Sequence, residues 1–346
     1  MEILFSFALW FGLYAIVALS LNLEYGFAGI PNFGKALAVL VGAISVGGIM
    51  NRILAYFYGI SEDNVISLSS SVRGIVNDAI LSDPVLGIVI FLSSITLASL
   101  LGAVAGVIFI LPSVKLKQDY LAITLLAISE VVFLVTNYST EIVGGYYGVS
   151  VPDVFTFSGN YRNTFFILVI LLFAFLVYFF VERISNSPFG RVLKAMRENE
   201  DVLKASGKNI IVLRIKAAAI GSAIASIAGA LFSLYSLNVI ASSFTRVEWT
   251  FYPFLMVLLG GAGNNKGVLA GVAVFVFAKI FLTMFKFEIT ALLNLPFEAI
   301  WFEYMLFGIL MFLVLYYKPE GIFKEKPIFT KPIKKVVYKI SGAKNN

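Results

Sequence analysis

The chain has 346 residues, 60% of them hydrophobic and 13% charged, with a formal net charge of +6 and a mean hydropathy of +0.93. Soluble domains carry about 25% charged residues, so this much apolar sequence points to lipid as the solvent rather than to a water-soluble core. Cysteine and histidine are absent, which excludes disulfides, thiolate or imidazole metal sites, and Ser-His or Cys-His catalysis.

The first apolar run covers residues 3–23. It lacks the basic stretch that opens a signal peptide, so it reads as a retained span, with cleavage as the alternative. A second run covers 34–50, and loop 51–86 follows with Glu62, Asp63, Asp78 and Asp83 beside Arg52 and Arg73. Residues Gly87–Leu111 carry no charge over 25 positions, enough to cross a hydrocarbon layer of about 30 Å. Lys115 and Lys117 precede the run 119–137, and loop 138–162 has Arg162 as its one basic residue. After the run 163–181, residues 182–216 bring eight Lys/Arg against four acids. Runs at 215–240, 267–286 and 299–317 follow, with a weaker one at 247–262. The tail 317–346 has eight lysines and two glutamates, with Pro319, Pro327 and Pro332 among them.

The expected fold is an all-α, polytopic bundle of about eight to ten transmembrane helices. Roughly nine spans use up the length and leave no room for a further globular domain. Basic loops stay cytoplasmic, so 115–117, 182–216 and the tail are assigned inside, and loops 51–86 and 138–162 outside. Nine crossings put the N-terminus outside and the C-terminus in the cytoplasm; this parity needs 247–262 to cross rather than re-enter. Residues 1–322 are expected to form the membrane domain and 323–346 a basic tail. That tail is either a solvated or lipid-surface end or a specific partner site.

Two glycine-rich stretches, GFAGIPNFGKALA and GGAGNNKGVLA, resemble each other. They fit an internal repeat of the kind transporters use, or two unrelated tight turns. Small residues recur at four-residue spacing at Gly34/Ala38/Gly42, Gly102/Gly106, Gly221/Ala225/Gly229 and Gly267/Gly271. Such faces let helices approach closely, either within the chain or against a second subunit. Ionisable residues inside spans suggest function. Glu130 is one, with a structural hydrogen bond as the alternative; Lys279 is another, which could snorkel or pair. Glu24 and Lys35 flank the first glycine turn, and Thr124 is a polar candidate on a path.

In 187–207, Phe189, Leu193, Met196 and Leu203 fall at near-helical spacing among charges. The expected short amphipathic helix would enter a groove on a soluble partner, or lie on the membrane surface.

Six blocks in order carry a resemblance. They are Leu21-Asn22-Leu23 with Gly26, Gly29, Gly34 and Ala36; Asp119-Tyr120-Leu121-Ala122-Ile123-Thr124-Leu125 through Glu130; and Val143-Gly144-Gly145-Tyr146-Tyr147-Gly148. The others are Ser187-Pro188-Phe189-Gly190-Arg191-Val192-Leu193-Lys194-Ala195-Met196-Arg197-Glu198-Asn199-Glu200, extending to Gly207; Gly260, Gly261, Gly263, Gly267 and Gly271; and Pro319-Glu320-Gly321. From about residue 19 to 322 the chain resembles a branched-chain amino acid ABC transporter permease of the LivH/LivM group, nearer its LivM branch. It departs from that pattern at Asn32 and Lys35, where Ser and His are common, and at Val143 in place of Thr.

The resemblance implies an importer subunit in the cell membrane, not an enzyme. It binds no cofactor itself, whereas two partner ATPases use ATP and Mg. The other implied partners are a second, LivH-like permease subunit in a heterodimer, an external solute-binding protein and membrane lipid, with no nucleic acid. Pro188, Phe189, Gly190, Arg191, Leu193, Met196, Arg197, Glu198, Asn199 and Gly207 would couple to the ATPases. The translocation path is expected along Asn22, Gly26, Gly29, Asn32, Lys35, Thr124, Glu130, Gly144, Gly145, Gly260, Gly261 and Gly263. Alternatives are a relative moving urea, short amides or other amino acids, and an ion-coupled secondary transporter, which would need carboxylates along its pore.

Overall fold

Each long apolar run becomes a helix, because a backbone in lipid has only its own carbonyls and amides to bond. The computed structural model describes residues 2–62, 64–292, 299–318 and 320–325. In it, α1 (Glu2–Leu21) runs into a π-turn at Asn22–Phe27; α2 (Lys35–Ile44) passes through a second π-turn at Ser45–Met50 into α3 (Asn51–Phe57). Next come α4 (Val65–Ser82), α5 (Pro84–Ile110), α6 (Gln118–Tyr138), α7 (Thr140–Val143) and α8 (Arg162–Asn186). The charged interruption forms α9 (Pro188–Glu198) and α10 (Glu200–Ala205), before α11 (Ile210–Ser236). A third π-turn, Val247–Phe251, opens α12 (Tyr252–Gly260), followed by α13 (Asn265–Leu292) and α14 (Ala299–Tyr317). Among the described residues, seven helices are long and apolar enough to cross a membrane, and Trp301–Tyr317 is a shorter apolar one.

The bundle has two distinct ends. At the far end, β1 (Val149–Ser150) pairs antiparallel with β2 (Asn238–Val239). Arg162 there meets Asp153 at 2.7 Å and donates to the carbonyls of Leu234 and Tyr235, closing α8 onto α11. The opposite, basic end gathers loop 111–117, α9, α10 and residues 320–325. Arg214, almost wholly buried, staples it by donating to the carbonyls of Val114 and Leu116 and to Glu200 at 2.6 Å. The weak segment 247–262 connects the two ends: it leaves β2 at the far end and reaches Gly263, whose N–H bonds Asn22 Oδ1 at 2.8 Å. It does so as a broken helix whose lower part, Tyr252–Gly260, is buried at every position.

The stretch 51–86, read from its charges as a loop, holds α3 and α4. Asn64 caps α4 by accepting from the Ile66 N–H, and Ser69, Val72, Val76 and Ile80 form its buried face. The Oγ of Ser69 and the Oδ1 of Asn77 accept the N–H groups of Ser150 and Asp153, so α4 sits on the far-end loop.

At the centre, α2, α5 and α11 pack through their small residues. A Cβ on Gly42 would overlap the Ser226 carbonyl, and one on Gly229 the Val39 carbonyl; Gly102 and Gly106 face Ser226 and Ser222. Ser226 donates to the Ala38 carbonyl at 2.6 Å and lies within 2.9 Å of the Ser222 carbonyl. These stripes therefore serve packing within the chain, where lipid offers no hydrophobic drive for helix association. Gly267 and Gly271 do the same for α13 against α12.

Candidate functional site

The charged elbow between α8 and α11 is built by caps. Ser187 accepts the Gly190 N–H at 3.2 Å, with Pro188 at the first helical position of α9. Asn199 accepts the N–H groups of Asp201 and Val202, starting α10. Gly207 lies two residues beyond α10, in the left-handed conformation. Leu193, Met196 and Leu203 are buried against the chain's own bundle, and Gly190 lets α9 lie directly on the Ile184 and Ser185 carbonyls. This corrects the expectation that the apolar stripe enters a groove on a partner: burying it here anchors the elbow, with Phe189 half-buried beside it. The outward face is Pro188, Arg191, Ala195, Glu198, Asn199 and Val202.

Arg197 joins this elbow to the membrane helices. Its guanidinium donates to the Gly26 carbonyl in the first π-turn, to Glu325 Oε2 at 2.6 Å and to Glu198 Oε1 at 2.9 Å. Partial burial acts against its charge, but the hydrogen bonds to Glu325 and Glu198 outweigh that and hold its pKa above the ordinary arginine value. Lys194 meets the other Glu325 oxygen at 3.1 Å and sits 5.0 Å from the centre of the Phe27 ring. Gly29, at φ +69°, backs onto Arg197: a Cβ there would lie 3.0 Å from the arginine Cγ.

Above this joint the two glycine-rich stretches meet. Asn22 Nδ2 donates to Asn265 Oδ1 at 2.8 Å, and Asn265 Nδ2 donates to Glu182 Oε2 at 2.7 Å. A polar chain thus runs from the foot of α8 to both turns. Gly26 lies so close to the Gly263 nitrogen that a side chain has no room. Glu24 and Lys35, both wholly buried, pair at 3.0 Å. Asn32 donates to Glu24 Oε2 at 2.9 Å and accepts the Gly34 N–H at 3.0 Å. Gly260 packs on Gly267, and Gly261 on the backbone of Phe323 and Glu320. Of the closing Pro319-Glu320-Gly321 block, Gly321 reaches Gly261; Pro319 and tail residues 326–346 lie outside the described residues.

The residues expected on a path therefore fall in three places. Asn22, Gly26, Gly29, Asn32, Lys35, Gly260, Gly261 and Gly263 gather at the basic end. Gly144 and Gly145 form the far-end turn after α7, both with positive φ. Thr124 and Glu130 are on α6, where Thr124 bonds the Tyr120 carbonyl of its own helix. Glu130 pairs with Arg246 at 3.1 Å, and neither side chain is buried. Lys279 pairs rather than snorkels: it meets Glu248 at 2.6 Å and Tyr14 Oη at 2.8 Å, 4.5 Å from the centre of the Trp10 ring. Sequence reasoning missed Arg246 and Glu248, at and just inside the start of the weak segment, and the Glu182–Asn265 contact, which joins residues 83 apart. The one available signal for the first two was charge at the start of a weakly apolar run.

Over residues 3–315 the chain matches the family described as branched-chain amino acid transport system / permease component. The chain belongs to this permease family. It is 59% identical over 335 residues to the probable branched-chain amino acid transport permease protein LivM of Methanocaldococcus jannaschii, covering 96% of this chain and 97% of that one. The LivM proteins of Salmonella typhimurium and Escherichia coli, named as high-affinity branched-chain amino acid transport system permeases, are each 26% identical over 337 residues. Those matches cover 90% of this chain and 67% of each relative. No solved structure matches significantly. Within this permease, Asn32 and Lys35 answer one another: Lys35 pairs with the Glu24 carboxylate and Asn32 donates to it. Val143 is fully buried.

Proposed function

We propose that this permease is one of two membrane subunits of an ATP-binding-cassette importer for branched-chain amino acids in the cell membrane. The observation that carries the reading is the joint at Arg197, where an outward-facing elbow is bonded to the first glycine turn at Gly26 and to Glu325. A partner pushing on Pro188, Arg191, Glu198 or Asn199 acts on the first turn through Arg197, because α9 is held against the α8 carbonyls and by its buried Leu193 and Met196. The basic end is cytoplasmic on this reading, since it holds the excess of Lys and Arg, and Glu325 puts the start of the tail on the same side. Two ATPases engage the elbow and supply the energy from ATP and Mg. An external solute-binding protein delivers substrate to the far end, and α6 offers an exposed stripe of Tyr120, Ile123, Val131, Leu134 and Tyr138 to a LivH-like second permease.

The test is transport by the complex in liposomes. Leucine uptake is expected to need ATP, both ATPases and the binding protein, and this chain alone should move no leucine down an imposed ion gradient. Robust uptake by the chain alone contradicts the reading and favours an ion-coupled secondary transporter. Uptake of urea or short amides in place of leucine keeps the machine and replaces its cargo.

A further inference from the structure

Glu130 lies in the middle of α6, yet its side chain is 34% exposed, and that of its partner Arg246 is 47% exposed. A charge pair this open at membrane depth belongs against water or a polar passage, not against acyl chains. One π-turn further along the broken helix lies Phe251, half-buried and 6.1 Å from Phe33. Phe33 and Tyr25 in turn pack edge-on against Phe254 at 4.8 and 5.2 Å. Below them α12 is buried throughout. An open ion pair thus lies one π-turn from half-buried aromatic rings, with the buried helix α12 beneath them.

We propose that Glu130 and Arg246 form a substrate site for the zwitterionic head of an apolar amino acid, with Phe33 and Phe251 receiving its side chain. This inference rests on the importer reading above. An α-ammonium on Glu130 and an α-carboxylate on Arg246 exchange one ion pair for two, so no charge is left alone when the substrate enters or leaves. The planar guanidinium suits a carboxylate in bidentate contact. The site is neutral overall and so is the substrate, which lets the amino acid pass without being held by a net field.

The test uses the complete complex, with radiolabelled leucine as probe. In the double variant Glu130→Gln/Arg246→Gln, leucine uptake is expected to fall roughly tenfold or more, while ATP hydrolysis stimulated by the binding protein persists. A pair that only braces α6 against the broken helix predicts the reverse. There the double variant leaves no charge unpaired and transports like the parent, which overturns the proposal. If the double variant fails to assemble, single cysteines decide, because the chain has none of its own. Arg246→Cys and Glu130→Cys are expected to react with a membrane-impermeant thiol reagent and to be protected by leucine-loaded binding protein; absence of reaction or of protection overturns the proposal. Failure of the parent complex to couple ATP to leucine uptake refutes the importer reading instead, so the two failures are distinguishable.

Discussion

Single residues in this permease act mostly by where they leave no alternative. Glu24 and Lys35 are wholly buried, and their 3.0 Å contact neutralises both. Removing one partner strands a charge at a cost of about 3–5 kcal/mol. Lys35→Met is therefore expected to lower the melting temperature of the detergent-purified protein sharply, whereas Glu24→Gln/Lys35→Met recovers most of the loss; a Lys35→Met protein as stable as the parent contradicts the pair's role. Asn22 bonds Asn265 and Gly263 at once, so Asn22→Ala leaves buried polar groups unpaired at about 1–3 kcal/mol each. The same melting assay checks it, and an unchanged midpoint counts against the polar chain. Gly29→Ala forces a side chain into the left-handed region, costing about 1–2 kcal/mol, and pushes on Arg197. Its expected signature is slower substrate-stimulated ATP hydrolysis by the complex, beyond what lost stability explains.

At the scale of elements, the spans were legible because lipid demands long uncharged runs, and Gly87–Leu111 shows this most simply. The elbow was legible as a helix from the spacing of Phe189, Leu193, Met196 and Leu203 among charges, but not its division into α9 and α10 at Asn199. What periodicity could not reveal is which partner an amphipathic face takes. Leu193 and Met196 have the spacing of a docking ridge, but the nearest apolar surface is their own bundle. Likewise α4 was hidden because its face of Ser69, Val72, Val76 and Ile80 is short and mixed with charge. The packing of α2 on α11 yields a prediction at this scale. Gly42→Leu places a side chain where the Ser226 carbonyl stands, so the two helices must separate. Folded, monodisperse protein is expected to be lost on size-exclusion chromatography, while Gly74→Leu on α4, with open space around it, is expected to elute like the parent.

Over the whole molecule, two ends are tied by one broken element. Residues 247–260 carry Glu248 to Lys279 on α13, lie next to the Arg246–Glu130 contact with α6, and end beside the turn bonded to Asn22. The candidate site was only half legible in sequence. The glycine turns were visible as motifs, but their meeting depends on pairings more than 200 residues apart, which no local pattern encodes. On the importer reading proposed above, a partner ATPase works on the elbow. Val202, 67% exposed on its outward face, tests this most directly as the single cysteine of Val202→Cys in a chain that has no other. In the assembled complex it is expected to crosslink to an ATPase subunit, with a yield that changes when ATP is added. Labelling of this cysteine only from outside the cell, or a complete lack of crosslink to the ATPases in the active complex, would contradict the claim.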